Sequence, residues 1–216
     1  MTSSHDMALK THPPHFKAHP WHGLSAGLNP PLLVNVYVEI VPTDTVKYEI
    51  DKESGHLLVD RPQKYSNYCP TLYGFIPRTY CGVKVGEFCA QQTKRVNISG
   101  DGDPLDICVL TEKTITHGDL LVRAVPIGGL RMIDKGEADD KIIAVLESDA
   151  AYGNITSLDD CPPALIQRLT HYFLTYKQLP TELDRRVEIT HVYNAAEARQ
   201  VIELSMQDYL HEFRTA

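Results

Sequence analysis

The sequence predicts a mainly β protein with flanking helices, an α+β arrangement in which a closed or partly open small barrel carries helices packed outside it. Three observations lead there. Short β-rich segments follow one another from Leu32 to Glu147, two apolar stripes at helical spacing close the chain, and no internal repeat or long linker divides it. The 216 residues are 43% hydrophobic and 23% charged, enough to bury one large core and far from the composition of a disordered chain. We assign 1–31 to an N-terminal extension and 32–216 to a single domain with a long loop at about 76–99.

The extension is rich in His and Pro, with His5, His12, His15, His19 and His22 at irregular spacing. A surface arm is the favoured reading; metal capture is the alternative, weakened because this spacing does not converge the rings. From Leu32, "LLVNVYVEIV", "VKYEID" and "HLLVDR" read as strands. In "VKYEIDKESGHLLVDR" alternation sets Lys47, Glu49 and Asp51 on one face and Val46, Tyr48 and Ile50 on the other, with "KESG" as the turn of a hairpin. One face is thus unusually charged. The segments "DICVLTE", "DLLVRAVPIGG" and "KIIAVLE" complete the β region. After "CPP", Leu165, Leu169, Tyr172, Phe173 and Tyr176 recur at helical spacing, and Pro163 suits a first turn. In a second C-terminal helix Asn194 and Glu197 form a capping pair ahead of the stripe Ala198, Val201, Ile202, Met206, Tyr209 and Leu210.

Charge and targeting exclude several classes. A net charge of −7 argues against a protein that grips a nucleic-acid backbone. The start has no apolar signal core, and no apolar run of about 18 residues could span a bilayer. Cys69, Cys81, Cys89, Cys108 and Cys161 form no C-x-x-C pair, so reduced thiols and a cytoplasmic location are expected.

The chemistry concentrates in "SGDGDPLDICVL", which places Asp101, Asp103 and Asp106 within six positions. Three readings compete. A calcium loop fails because Leu105 and Asp106 fall where a ligand and a glycine are needed, and a strand follows instead of a helix. A metal-binding D-x-D and a plain polar turn both stay open on these residues alone. A second acidic turn, "RMIDKGEADDKIIAV", supplies Asp134, Asp139, Asp140 and Lys141 at the mouth of another strand. If both turns lie at one end of the barrel, four or five carboxylates meet, and Mg²⁺ could compensate them. Lys47, Arg61, Lys141 and the pair Tyr176-Lys177 are candidate phosphate donors, although each alone also reads as a solvated face or a helix-end cation.

In this order, "VEI", "KYEIDKESG", "VDR", "YGFIPRT", "DGDPLDICVL", "IGGLRMID", "ADDKIIAV" and "FLTYK" resemble the soluble family I inorganic pyrophosphatases, with "HPWHGL", "FIPRT" and "MID" similar to plant-like and related bacterial forms. The resemblance covers the chain from "HPWH" to the last helix. It implies an OB-like barrel of five main strands and one catalytic domain that hydrolyses inorganic diphosphate with several Mg²⁺ ions. By the same resemblance Asp101, Asp106 and Asp139 hold metals, Asp134 joins Asp139 at metals brought with substrate, and Asp103 is the general base. Glu39 and Glu49 line the acidic site, Tyr73 stands near the metals, and Lys47, Arg61, Lys141, Tyr176 and Lys177 hold the phosphates. A homo-oligomer without nucleic-acid or membrane partners is also implied. Two departures stand out: the long, cysteine-containing connection between Tyr73 and Asp101, and Arg131 before "MID", where many bacterial members have Lys. A non-enzymatic OB-like binding module and a Mg²⁺-dependent nucleotide phosphohydrolase are the alternatives; the acidic turns oppose the first, and no base-reading motif supports the second.

Overall fold

The structure, a computed structural model, describes residues 17–177, 179, 181 and 187–213. In chain order the strands and helices are β1 (Val34–Ile40), β2 (Val46–Ile50), β3 (Leu57–Pro62), β4 (Leu72–Phe75), α1 (Val83–Thr93), β5 (Ser99–Gly100), β6 (Asp106–Leu110), β7 (Leu120–Asp134), β8 (Glu137–Ala138), β9 (Lys141–Leu146), α2 (Pro163–Thr175), β10 (Val187–Asn194) and α3 (Ala195–Glu212). The fold is mainly β with flanking helices, as the sequence predicts. Strands β1, β4, β6, β9 and β7 close into a ring, because β7 pairs with β1 as well as with β9. Only β6 and β9 run parallel within it. The hairpin β2–β3 stands beside the ring as its own two-stranded sheet.

Alternation divides the ring strands between two apolar layers. Ile107, Val109, Ile142 and Ala144 join a core with Val85 and Phe88 of α1 and Val201 and Ile202 of α3. Their neighbours Cys108, Leu110, Ile143 and Val145 face Leu169, Tyr172 and Phe173 of α2. Both faces of β6 and β9 are buried, which is why these strands read as continuous apolar runs without polar alternation. Asn194 caps α3 as expected, its Oδ1 accepting from the Ala196 and Glu197 N–H groups at 3.0 and 3.1 Å.

Three elements differ from the sequence reading. The connection at 76–99, read as a long loop, carries α1. That helix has no cap in its own sequence: Gly82 precedes it and offers no side chain. Its free N–H groups are instead satisfied by Asp208 of α3, whose carboxylate accepts from Gly82, Lys84 and Val85, each at 3.1 Å. We expect Asp208→Ala to cost about 1–3 kcal/mol, the loss for leaving buried donors unpaired, and to raise amide exchange over 83–93; unchanged thermal unfolding and exchange would contradict this capping role. The second difference is β7, which continues through "RMID" to pair with the third, β10, over Asn194 to Val187. With α1, three α-helices flank the ring among the described residues, where two had been expected.

Within the extension, residues 17–31 are described, whereas His5, His12 and His15 lie outside the described residues. Trp21 is buried; its Nε1–H donates to the Thr79 carbonyl at 2.7 Å, and its ring packs against Tyr80, Tyr209 and Phe213. His19 Nδ1 accepts from the backbone N–H groups of Trp21 and His22, so this ring serves the turn that seats the tryptophan. Among the described residues no helix is long and apolar enough to cross a membrane.

Candidate active site

The turn between β5 and β6 is built so that three aspartates can approach one another. Asp103 N–H donates to Asp101 Oδ1 at 2.9 Å, and Gly102 adopts the left-handed backbone (φ 74°) that such a tight reversal needs. Cys81 holds the turn from behind: its N–H donates to the Asp103 carbonyl at 2.8 Å and its carbonyl accepts from Gly102 N–H at 3.0 Å. This close approach requires Gly100, where a Cβ would sit 2.0 Å from the Cys81 carbonyl oxygen. Cys81 thereby ties the inserted connection to the aspartate turn.

Around this turn lies a cavity of about 190 Å³. It brings together Asp101, Asp103, Asp106, Asp134 and Asp139 with Glu39, Glu49, Lys47, Lys141, Lys177, Tyr73 and Tyr176. Of the acidic-turn and phosphate-donor side chains singled out in the sequence, Arg61 and Asp140 do not line it. Arg61 stands opposite Lys47 across the hairpin and pairs with Asp60. Asp140, read with the second acidic turn, faces away from the cavity: it is buried against Arg131, 2.7 Å away. Two lining residues carry charge that the sequence reading passed over, and a third was read there only as part of an apolar stripe. Lys52, in the "KESG" turn, pairs with Asp103; Glu137 stands on β8; and Phe173 of the α2 stripe closes the apolar side. The signal for Lys52 was a cation at a hairpin tip, which by itself is indistinguishable from a solvated turn.

Strand ends set the side chains. Asp106 opens β6 and Lys141 opens its parallel neighbour β9, so both project from the same end of the ring. Lys141 is buried and bonds to both Asp106 and Asp139, over the rings of Tyr73 and Phe173 at 5.9 and 5.7 Å. Tyr73, one strand away, donates its hydroxyl to Asp106 Oδ2 at 2.6 Å. Lys177, just beyond α2, pairs with Asp134 at the end of β7. Glu39 on β1 accepts the Ile50 N–H at 2.7 Å, docking the β2–β3 hairpin, and Lys47 bridges Glu49 at 2.6 Å and Asp60 at 3.1 Å.

The electrostatics are those of a carboxylate cluster that its lysines only partly neutralise. Burial, then the Asp106 charge, pushes the Glu39 carboxyl up to about 8 against the pull of the Ile50 N–H. Burial and Asp139 push Asp101 up to about 8 as well, and burial raises Asp139 despite Lys141. Although burial works against it, the Lys141 ammonium is held well above its ordinary value by Asp106 and Asp139. Asp134 Oδ1 is buried without a hydrogen-bond partner. As they stand, the lysines lie between the carboxylates, and among the described residues no three His, Cys, Asp or Glu converge on one point. The all-oxygen donor set, the crowded charge and the orphaned Asp134 oxygen nevertheless fit hard divalent cations.

Comparison with known proteins gives a consistent picture. A family model described as inorganic pyrophosphatase matches residues 36–210. The chain is 54% identical over 200 residues to an inorganic pyrophosphatase of Chlamydia trachomatis serovar L2, covering 91% of this chain and 96% of that protein. It is 38% identical over 192 residues to soluble inorganic pyrophosphatase 3 of Arabidopsis thaliana, covering 89% and 79%. Among solved structures, the inorganic pyrophosphatase of Thermus thermophilus superposes with a TM-score of 0.74 at 28% identity, over 89% of this chain and 99% of that one.

Proposed function

The chain belongs to the inorganic pyrophosphatase family and hydrolyses inorganic diphosphate to two phosphates; from that premise we propose how its residues divide the work. The observation that carries the proposal is the cavity itself, where five aspartates and four lysines face one small space. Asp101, Asp106 and Asp139 would hold Mg²⁺ ions, and Asp134, whose Oδ1 has no other partner, would join Asp139 in holding those that enter with substrate. Bound there, Mg²⁺ supplies charge neutralisation and a more acidic water. Asp103, half-exposed at the cavity and outside the buried cluster, accepts the proton of the attacking water at its carboxylate.

The cations act on the phosphates. Lys141 and Lys177 are fixed at the strand and helix ends and stabilise charge as it develops on the departing phosphate. Lys47 and Tyr176, both in the cavity lining, orient the substrate, and Arg61 reaches the rim when a phosphate oxygen competes with Asp60. Tyr73 keeps Asp106 oriented through its hydroxyl. Glu39 and Glu49 keep the cavity acidic, and Glu39 also seats the hairpin that carries Lys47. The acidic lining of the cavity disfavours binding of a nucleic-acid backbone.

The decisive assay is phosphate release from diphosphate with Mg²⁺, with excess chelator, and with ATP as competitor. Loss of turnover in chelator and preference for diphosphate are expected; activity that survives chelation, or prefers ATP, rejects this account. A second test reads charge crowding. In the cation-free fold Glu39 and Asp101 hold protons up to about pH 8, whereas in the unfolded chain they release them near pH 4. The folded state then binds more protons than the unfolded one across this window, so stability is greatest at its acid end and falls as pH rises. Melting temperature in chelator should drop from pH 5 to pH 8, with Mg²⁺ restoring more at pH 8; a flat or rising profile would show that these carboxyls are not crowded.

The five cysteines are free and buried, which supports a reducing, cytoplasmic setting. Association of copies, which the family resemblance implies, is read by solution mass.

A further inference from the structure

Behind the catalytic face lies a second charged cluster to which none of these roles belongs. Arg131 of β7 is completely buried, with Nη1 2.7 Å from Asp140 Oδ2 and Nη2 2.7 Å from Glu197 Oε1. Its guanidinium lies 5.0 Å from the ring centroids of both Phe88 on α1 and Tyr193 on β10. Tyr193 also donates its hydroxyl to Asp140 Oδ2 at 3.2 Å. Glu197 belongs to the capped first turn of α3. One cation therefore joins α1, α3, β10 and the segment leading into β9.

That segment is Asp139-Asp140-Lys141. Successive side chains of extended backbone point to opposite faces, and the outer two line the cavity while the middle one is buried against Arg131. The segment's backbone is also tied to β7, through Asp139 N–H to the Met132 carbonyl at 3.0 Å. We propose that the Arg131–Asp140 pair is a positioning device for the reaction: by gripping Asp140 from the helix side it fixes the placement of Asp139 and Lys141 in the cavity. Neither residue touches substrate. Stability alone gives little reason for such a pair, since buried ion pairs are often replaceable by apolar side chains of similar volume without loss. Fixing a metal-holding carboxylate and a phosphate-holding lysine gives a specific reason, because groups behind ligands commonly control their orientation.

The proposal rests on the roles given above to Asp139 and Lys141, and its test separates the two. The full chain is prepared as wild type, Asp140→Asn, Arg131→Lys and the apolar double variant Arg131→Met with Asp140→Leu. Each is measured by thermal unfolding in chelator, by calorimetric Mg²⁺ titration without substrate, and by kcat and KM for diphosphate. In the double variant, or in Asp140→Asn should the double variant not fold, Mg²⁺ affinity and kcat should each fall about tenfold or more, the range seen for groups supporting metal ligands, beyond anything the change in melting temperature explains at the assay temperature. Arg131→Lys, which keeps the charge but not the fork, should recover part of both. Folded variants with Mg²⁺ affinity and kcat within about twofold of wild type, against the tenfold expected for a supporting group, would overturn the proposal. Failure of wild type to bind Mg²⁺ or hydrolyse diphosphate would instead reject the site roles themselves.

Discussion

Replacing Asp103 by Asn should reduce turnover of diphosphate by about 10²–10⁴-fold, the span associated with loss of a positioned general base, while leaving fold and Mg²⁺ binding close to wild type. The geometry separates these effects. Asp103 shapes its turn through backbone groups, its N–H to Asp101 and its carbonyl to Cys81, and Asn keeps both. Its side chain is 42% exposed and its partner Lys52 is equally open to solvent, so little stability rests on this pair. The carboxylates of the buried cluster are untouched. Single-turnover kinetics with a parallel Mg²⁺ titration give the measurement: normal binding with slow chemistry is expected, and full turnover by Asp103→Asn removes this residue from the proton-accepting role.

Lys141→Met should damage both stability and activity, and the two losses should respond differently to Mg²⁺. Lys141 is almost wholly buried between Asp106 and Asp139, and methionine fills its aliphatic stem while leaving two close carboxylates without their cation. Removing one partner of a buried ion pair costs about 3–5 kcal/mol, so melting in chelator should fall by several degrees. Mg²⁺ replaces the missing positive charge and should recover much of that stability. It should not recover catalysis, because the donor fixed against the departing phosphate is gone; kcat/KM should stay about 10²-fold or more below wild type, in line with loss of an electrostatic donor. Unchanged melting in chelator together with kcat/KM near wild type would show that Lys141 has neither part.

The contrast between the two residues shows how much of the site can be read along the chain. Asp101, Asp103 and Asp106 are close in sequence, and their crowding alone left a metal site and a solvated polar turn both open. What remained undecided was whether the balancing charge came from solvent, lysine or metal, because Lys141, Lys177 and Lys47 arrive from three separate elements. The order of the motifs carried the family resemblance, since each piece is short and only the series is specific. Arg61 illustrates the limit. Its place on a strand of the charged hairpin was legible, yet pairing with Asp60 holds it outside the cavity lining.

The elements that escaped the sequence reading have a shared cause: the interactions that make them are distant. Helix α1 lacks a local cap and takes one from Asp208, more than a hundred residues later. Strand β10 is completed by the far half of β7, which itself looked like a turn because "RMID" mixes charge with apolar residues. Asp140 could be counted among the acids of its turn, but whether it points into the cavity or away depends on Arg131.

By itself the sequence determined a mainly β chain with flanking helices, the two acidic turns and the family to which they belong, because periodicity, turn residues and motif order are properties of neighbours along the chain. Only the tertiary structure decided which carboxylates share the cavity, which cation lies between them, and that Asp140 turns away from it to pair with Arg131. Those outcomes depend on burial and on distances between groups on different elements, and both come into being only when the ring closes.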